Sequence, residues 1–345
     1  VDFINIDGAY GEGGGQILRT AVALSAITKK PIEVTNIRAK RDKPGLRPQH
    51  VTAIKAVASL CDASVENLEV GSNIIRFIPG EMRGGSMKVD IGTAGSITLA
   101  LQAVIPAASL AGKNVELELV GGTDVRWSPT IDYMRHVVRA AYKILGINFD
   151  LMILKRGYYP PGGGMVRASI SACDSVRTME MISAPRIEPK MVSICSMLPK
   201  HVAERQIAAA LAKLQKENVQ CNTYSIAIEQ ASSPGSSILV YSVSDYGPFI
   251  GGDSIGERGK RAEQVGGEAA EKFLEAYRSN APIDPYLADM LVLPMSLAKG
   301  RSRFVVSRTS QHLSTNLYVA SRMVNCTYDI GKTDGNYAVT IRSDA

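Results

Sequence analysis

A unit of helix, turn and strand recurs three times along the chain, introduced by a glycine-rich turn in the first two copies. A repeat of this size constrains the fold more than any single motif, because each copy must bury its apolar face against its neighbours. The first copy, GEGGGQILRTAVALSAITKKPIEV (residues 11–34), sets Ile17, Ala21 and Leu24 at i, i+4 and i+7 of a helix ahead of a strand. The second, GTAGSITLALQAVIPAASLAGKNVELELV, starts at Gly92, and the third, ADMLVLPMSLAKGRSRFVVS, starts at Ala288. Each is followed by a second helix and a final hairpin: RPQHVTAIKAVASL then IIRFIPG, SPTIDYMRHVVRAAYKIL then MVRASIS, and SQHLSTNLYVASRMV then YAVTIRS. The predicted unit is therefore strand, helix, strand, helix, strand, strand. Pro48 and Pro129 are expected in the first turns of two of the second helices.

Between the second and third copies a stretch with its own pattern intervenes: MVSICSML, a helix through VAERQIAAALAKLQKEN, strands TYSIAIEQ and SSILVYSV, and a helix through RAEQVGGEAAEKFLEAYR. The sequence thus predicts an α/β (α+β) fold. Three tandem βαβαββ repeats form a large domain, residues 1–182 and 281–345, and a smaller α/β domain is inserted at residues 183–280. A surface loop between repeats tolerates such an insertion. At 345 residues the chain suits two domains of roughly 150 residues or one domain with a large insert.

With 45% hydrophobic and 21% charged residues, the chain resembles neither a disordered tail nor a fibrous repeat. A net charge of +6 favours anionic partners. Five scattered cysteines without a CxxC pair indicate neither a disulfide framework nor a zinc knuckle, so a reducing cytoplasm is the expected location. The uncharged run between Asp90 and Lys113 contains Gly92, Gly95, Gln102 and Pro106, and is expected to be a turn and a buried helix rather than a membrane span. The opening VDFINIDGAY has neither the basic nor the apolar region of a secretory signal, and no membrane association is expected.

The chemistry-bearing residues cluster in the first and third repeats. Gly11 to Gln16 lead into a helix, where unhindered backbone N–H groups make an anion site or simply a tight connection. The run is no dinucleotide fingerprint, since Gln16 stands in place of the third glycine, and Gly331-Lys332-Thr333 is no Walker loop, since Cys326 replaces its upstream glycine. Arg38, Lys40, Arg41, Lys43 and Arg47 form a basic loop followed by Gln49 and His50. That loop is either a solvated surface or, together with Arg19 one turn beyond Gln16, a phosphate site suited to guanidinium forks. His50 and His312 each open a second helix, where the dipole keeps an imidazole neutral and favours an added phosphate; each is either a cap-region residue or a nucleophile. Ser254 in GDSIG matches a nucleophile elbow only formally, and His136 and His201 are expected to be ordinary helix residues.

The motifs GAYGEGGGQILRT, IRAKRDKPGLRPQH, GGTDVRWSP, GYYPPGGG, YLADM with LPM, and SQHLSTN together resemble the RNA 3'-terminal phosphate cyclase family, in its archaeal form, nearly end to end. The resemblance implies three βαβαββ repeats with an inserted domain. It also implies conversion of an RNA 3'-phosphate to a 2',3'-cyclic phosphate, with ATP as co-substrate and Mg²⁺ or Mn²⁺ as metal. It makes His312 the nucleophile that takes AMP, and Glu12 the acidic residue at metal and phosphates. Arg19, Arg38 and Arg41 become catalytic arginines, and Gln16, Gln49 and His50 line the phosphates and RNA end. Gln102 and the run Tyr286, Leu287, Ala288, Asp289 and Met290 form the nucleotide pocket, with Tyr286 and Pro129 walling the adenine. Met290 departs from the bacterial pattern, which often has Gln there, so base selectivity is expected to be looser. Retention of His312 separates the chain from the branch of ribosome-assembly proteins that bind rRNA without turnover. An enolpyruvyl-type transferase on the same triple repeat would need neither ATP nor an RNA end. The RNA partner is one with a 3'-terminal phosphate, and a homodimer is left open.

Overall fold

Three four-stranded sheets share one strand order, and each is built from one repeat. The computed structural model describes residues 2–92 and 95–344. In the first sheet β1 (Ile4–Asp7) runs parallel to β2 (Ile32–Thr35), which pairs antiparallel with β4 (Ile75–Ile78), and β3 (Ser64–Glu66) lies outside β4. Helices α1 (Gly15–Thr28) and α2 (Pro48–Leu60) fill the connections. The second repeat gives β5 (Gly85–Asp90), α3 (Ile97–Ser109), β6 (Val115–Gly121), β7 (Phe149–Lys155) and β8 (Gly164–Ile170), in the order β5-β6-β8-β7. Its second helix runs from α4 (Ile131–Tyr133) through a π-helical stretch (Met134–Val138) into α5 (Arg139–Ile144).

The third sheet corrects where the insertion falls. Its parallel edge strand is β9 (Glu180–Met181), with Glu180 opposite Arg303 of β14 (Gly300–Val306), followed across the sheet by β16 (Asn336–Ser343) and β15 (Cys326–Thr333). The inserted segment therefore follows the first strand of the third repeat instead of lying between two repeats. The remaining helices of this repeat are α8 (Pro285–Ser296) and α9 (Gln311–Met323). The intervening segment forms its own sheet, β11 (Thr223–Ile228), β10 (Lys190–Ser196), β12 (Gly235–Val243) and β13 (Phe249–Ile255) in that order, packed by α6 (His201–Lys216) and α7 (Ala262–Ser279). Strand β13 is absent from the sequence prediction.

One apolar core runs through all three repeats, and a second lies under the inserted sheet. Ile17, Ala21 and Leu24 are fully buried on α1, which packs on α2, α3 and α9. Truncating Leu24 to Ala would cost about 2–5 kcal/mol. Helix α3 is apolar on all sides because it sits inside this core, and among the described residues no helix is long and apolar enough to cross a membrane. Of the turn before α3, Thr93 and Ala94 lie outside the described residues.

A buried ion cluster fixes the inserted segment against the second repeat. The Arg156 guanidinium meets Asp124 at 3.1 Å, Asp132 at 2.8 Å and Glu229 at 2.7 Å, while its backbone N–H donates to the Gln230 carbonyl at 2.7 Å. Removing one member of such a cluster leaves an uncompensated buried charge, a loss of about 3–5 kcal/mol.

Candidate active site

The first wall of the site is the turn into α1. Gly11 and Gly13 hold left-handed φ values of 57° and 60°. A side chain at Gly14 would run into the Gln16 amide, and one at Gly15 into the His50 imidazole. Gly14 caps α1 without a side-chain acceptor, and while the Ile17 N–H donates to the Gly14 carbonyl at 3.4 Å, those of Gly15 and Gln16 have no partner among the described residues and can bind an anion. Beside them, the buried Gln16 amide nitrogen lacks a hydrogen-bond partner. Arg19 is half-buried, and among the described residues no carboxylate or carbonyl pairs with it. Burial holds its pKa down to about 10, so it remains a cation at neutral pH. An unpaired buried donor and an unpaired guanidinium at one helix end are what an anionic ligand satisfies.

The basic loop and α2 form the second wall. Arg47 is the N-cap residue, and its backbone N–H donates to His50 Nδ1 at 3.1 Å. That acceptor role leaves the proton of neutral His50 on Nε2, the nitrogen facing Gly15. Burial first, then the charges of Arg19, Arg38 and Arg47, pushes the His50 pKa down to about 3. Arg38 adopts a left-handed φ of 54°, donates from Nη2 to the Lys43 carbonyl at 3.3 Å and keeps a buried, unpartnered Nε. Arg41 pairs with Glu12 at 2.9 Å, and Lys40 donates to the Gly11 carbonyl at 3.4 Å, so the loop folds back over the glycine turn. Gln49 is exposed on the first turn of α2.

The third wall comes from α8 and α9. Ser310 caps α9, accepting from the Leu313 N–H at 2.8 Å and donating to Asp289 Oδ1 at 2.5 Å. Asn316 donates to the Asp289 carbonyl at 2.8 Å and accepts from Thr20 at 2.9 Å, which locks α9 to both α8 and α1. His312, in the first turn of α9, keeps 49% of its side chain exposed, and its Nδ1 lies 3.7 Å from Asp289 Oδ2, an electrostatic contact too long for a hydrogen bond. Burial lowers the His312 pKa, Glu12 opposes this, and Arg19 and Arg41 reinforce it. Gly11 of the glycine turn approaches Gln311 and Thr315 of α9, which brings the turn carrying the Glu12–Arg41 pair to the end of α9 that holds His312. Burial pushes the Asp289 carboxyl up to about 7.

Beyond His312, Asp284 caps α8, accepting from the Tyr286 and Leu287 N–H groups at 2.9 and 3.0 Å and from the Tyr133 hydroxyl at 2.7 Å. Tyr286 is thereby held at the surface with its ring beneath Lys272 and Arg308, whose charges lie 5.4 and 5.9 Å from its centroid. Leu287 and Ala288 turn instead into the apolar core, as the helical period requires of the residues after an exposed Tyr286, so their side chains do not line a pocket. Met290 packs partly buried against the core, and its carbonyl accepts from the Tyr142 hydroxyl at 3.0 Å. Pro129 precedes the N-cap residue Thr130 and so lies outside the first helical turn; its carbonyl accepts from Thr98 at 2.8 Å. Gln102 is half-buried on α3 and makes no side-chain hydrogen bond among the described residues.

The structure thus gathers Glu12, Gln16, Arg19, Arg38, Arg41, His50, Asp289 and His312, and leaves Ser254 out. Ser254 lies within strand β13, bonded to Glu268 and Lys260, with no strand-to-helix elbow. His136 stacks on Tyr241, away from the cluster. Ser310 and Asp284 escaped the sequence reading, although a Ser or Asp just ahead of an amphipathic run is an N-cap signal. Among the described residues no group of three or more His, Cys, Asp or Glu could hold a metal. Glu12 offers one accessible carboxylate, which suits a hard cation that takes its other ligands from phosphate oxygens and water.

The sequence profile of the RNA 3'-terminal phosphate cyclase family matches residues 10–330. Proteins named RNA 3'-terminal phosphate cyclase from Methanopyrus kandleri and Pyrobaculum aerophilum are each 43% identical to the chain over 344 residues, covering 98% of it and 98% and 97% of their own lengths. That of Pyrococcus furiosus is 42% identical, with 95% of each chain covered. An enolpyruvyl transferase from Streptomyces tendae aligns with a TM-score of 0.23 at 8% identity, over 99% of this chain and 82% of that one, too slight a likeness to carry an argument. By the profile over nearly all its length and by these relatives, the chain belongs to the RNA 3'-terminal phosphate cyclase family.

Proposed function

We propose that the chain uses ATP to convert an RNA 3'-terminal phosphate into a 2',3'-cyclic phosphate, through AMP carried on His312. The observation that carries the proposal is the half-exposed His312 imidazole at the N-terminus of α9, backed by Asp289 and facing the glycine turn, with burial lowering its pKa so that it is neutral at pH 7. A neutral nitrogen is nucleophilic at pH 7, and the helix dipole favours the phosphate it acquires. His312 Nε2 attacks the α-phosphorus of ATP, forming a P–N bond as the bond to pyrophosphate breaks. Asp289, on the Nδ1 side, orients the ring and stabilises the positive charge that develops on it.

An oxygen of the RNA 3'-phosphate then attacks the same phosphorus, the P–N bond breaks, and neutral His312 is restored. The 2'-OH finally attacks the 3'-phosphorus and AMP leaves; being already adjacent, that hydroxyl needs little assistance. Arg19, Arg38 and the Nε2–H of His50 hold the terminal phosphate, with Gln16 and Gln49 as further donors. Tyr286, Pro129, Gln102 and Met290 surround the nucleotide base. Mg²⁺ or Mn²⁺ bound by Glu12 would supply charge neutralisation at the phosphates.

Incubation with ATP and an RNA 3'-phosphate should give a phosphatase-resistant cyclic end, with AMP and pyrophosphate released in equal amounts. An all-deoxy 3'-phosphate should stop at the adenylylated end, because it lacks the attacking hydroxyl. A cyclic end formed without ATP, or RNA binding without any turnover, would defeat the proposal.

A further inference from the structure

We propose that the seam between the second repeat and the inserted segment is a stacking platform for the RNA strand upstream of its 3' end, with Trp127 as the base-stacking residue. This rests on the reading of RNA as the substrate. Trp127 is the only tryptophan of the chain, is 91% exposed, and is held at a left-handed φ of 60°. For a bulky side chain that conformation is uncommon and costs energy, and such outliers cluster where a ligand is gripped. Tyr159, 65% exposed, follows Tyr158, which bridges Asp124 in the segment that carries Trp127. Arg126, the residue before Trp127, pairs with Glu257 at 2.5 Å, which draws the 126–128 and 256–261 loops together across the seam.

On the cavity lining Arg126, Lys260 and Lys272 are balanced by Glu257, Glu268 and Asp253, and the cations without an ion pair among the described residues are Arg258 and Arg261 on the 256–261 loop. Arg258 and Arg261 are exposed. Aromatic faces interleaved with cations are the composition that binds single strands without sequence preference, since every base has a π-face and every link a phosphate. Between the loops lies a cavity of about 420 Å³, with room for a nucleobase. It adjoins the nucleotide side of the candidate site: Lys272, on its lining, lies over the Tyr286 ring, and Trp127 is two residues from Pro129. A strand whose 3'-phosphate meets Arg19 and His50 would be steadied on this face.

Because Trp127 is the sole tryptophan, its fluorescence reports the platform directly. Titration with 3'-phosphorylated RNA of about ten nucleotides, without ATP, should quench it, whereas ATP alone or a nucleoside 3'-phosphate should not. Trp127→Ala should raise KM for the long RNA about five- to 150-fold, the span of one base–aromatic stack. It should leave KM for a dinucleotide and formation of the ATP adduct unchanged, and Trp127→Phe should recover most of the loss. Arg258→Glu should raise KM for the long RNA most at low salt. Unquenched fluorescence during RNA binding, or an unaltered KM in Trp127→Ala, would overturn the platform; quenching by ATP alone would assign the cavity to the nucleotide and overturn it equally. Quenching by RNA in a protein that forms no ATP adduct would refute the proposed activity while upholding the platform.

Discussion

His50 should make the fold acid-sensitive by an amount that follows from its surroundings. The imidazole is 3% exposed and faces three arginines, which together with burial set its folded pKa near 3. In the unfolded chain it titrates near the ordinary 6.5. Between these values the unfolded chain binds a proton that the folded chain refuses, so stability falls as pH falls. From pH 7 to pH 5 the loss from this one group is roughly 2 kcal/mol. Urea unfolding of the wild type and of His50→Gln at both pH values isolates it. Gln at the third helical position can still accept from the Arg47 N–H, as in an ordinary capping box, so α2 keeps its start. The wild type should lose roughly 2 kcal/mol more than the variant on acidification. Equal losses, or an NMR titration of His50 centred near 6.5, would refute the placement of this imidazole among the arginines.

Two further outcomes follow from the site. Arg41→Ala should slow cyclisation about ten- to a hundred-fold, as loss of a charged phosphate contact does, yet barely change thermal stability, since its pair with Glu12 is half-exposed. Lys43→Ala, which removes an exposed charge from the same loop, should cost less than about threefold, and equal losses in the two variants would indicate a diffuse basic surface. Adenylylation of the wild type should rise with pH in two limbs, one below 6.5 as His312 loses its proton and one near 7 as Asp289 ionises. Asp289→Asn should keep the first limb and abolish the second, and an unchanged profile would remove Asp289 from its orienting role.

The sheets, helices and clustered arginines were legible because their signals are local. Apolar spacing marks α1 and α3, and glycine-rich turns mark their starts. What stayed hidden depends on distant partners. Strand β9 is two residues long, and it is a strand only because Glu180 and Met181 meet Arg303 and Phe304 of β14. Strand β13 escaped the sequence reading because its glycines interrupt the strand pattern, yet Gly251 and Gly252 are required where Tyr133 and the α7 backbone approach it. Likewise Leu287 and Ala288 travelled with a matched run whose helical period sends them inward, and the Ser310–Asp289 bond joins residues from separate helices.

The central claim is that His312 carries AMP, and locating the adduct tests it most directly. The protein is incubated with α-labelled ATP and Mg²⁺, denatured, digested at neutral to alkaline pH and analysed by peptide mass spectrometry. The label should sit on His312, survive alkali, be lost in acid as a phosphorus–nitrogen bond is, and appear in step with pyrophosphate. His312→Asn should bind ATP and carry no label. An acid-labile adduct that persists in His312→Asn, or one that maps to His50, would contradict the account.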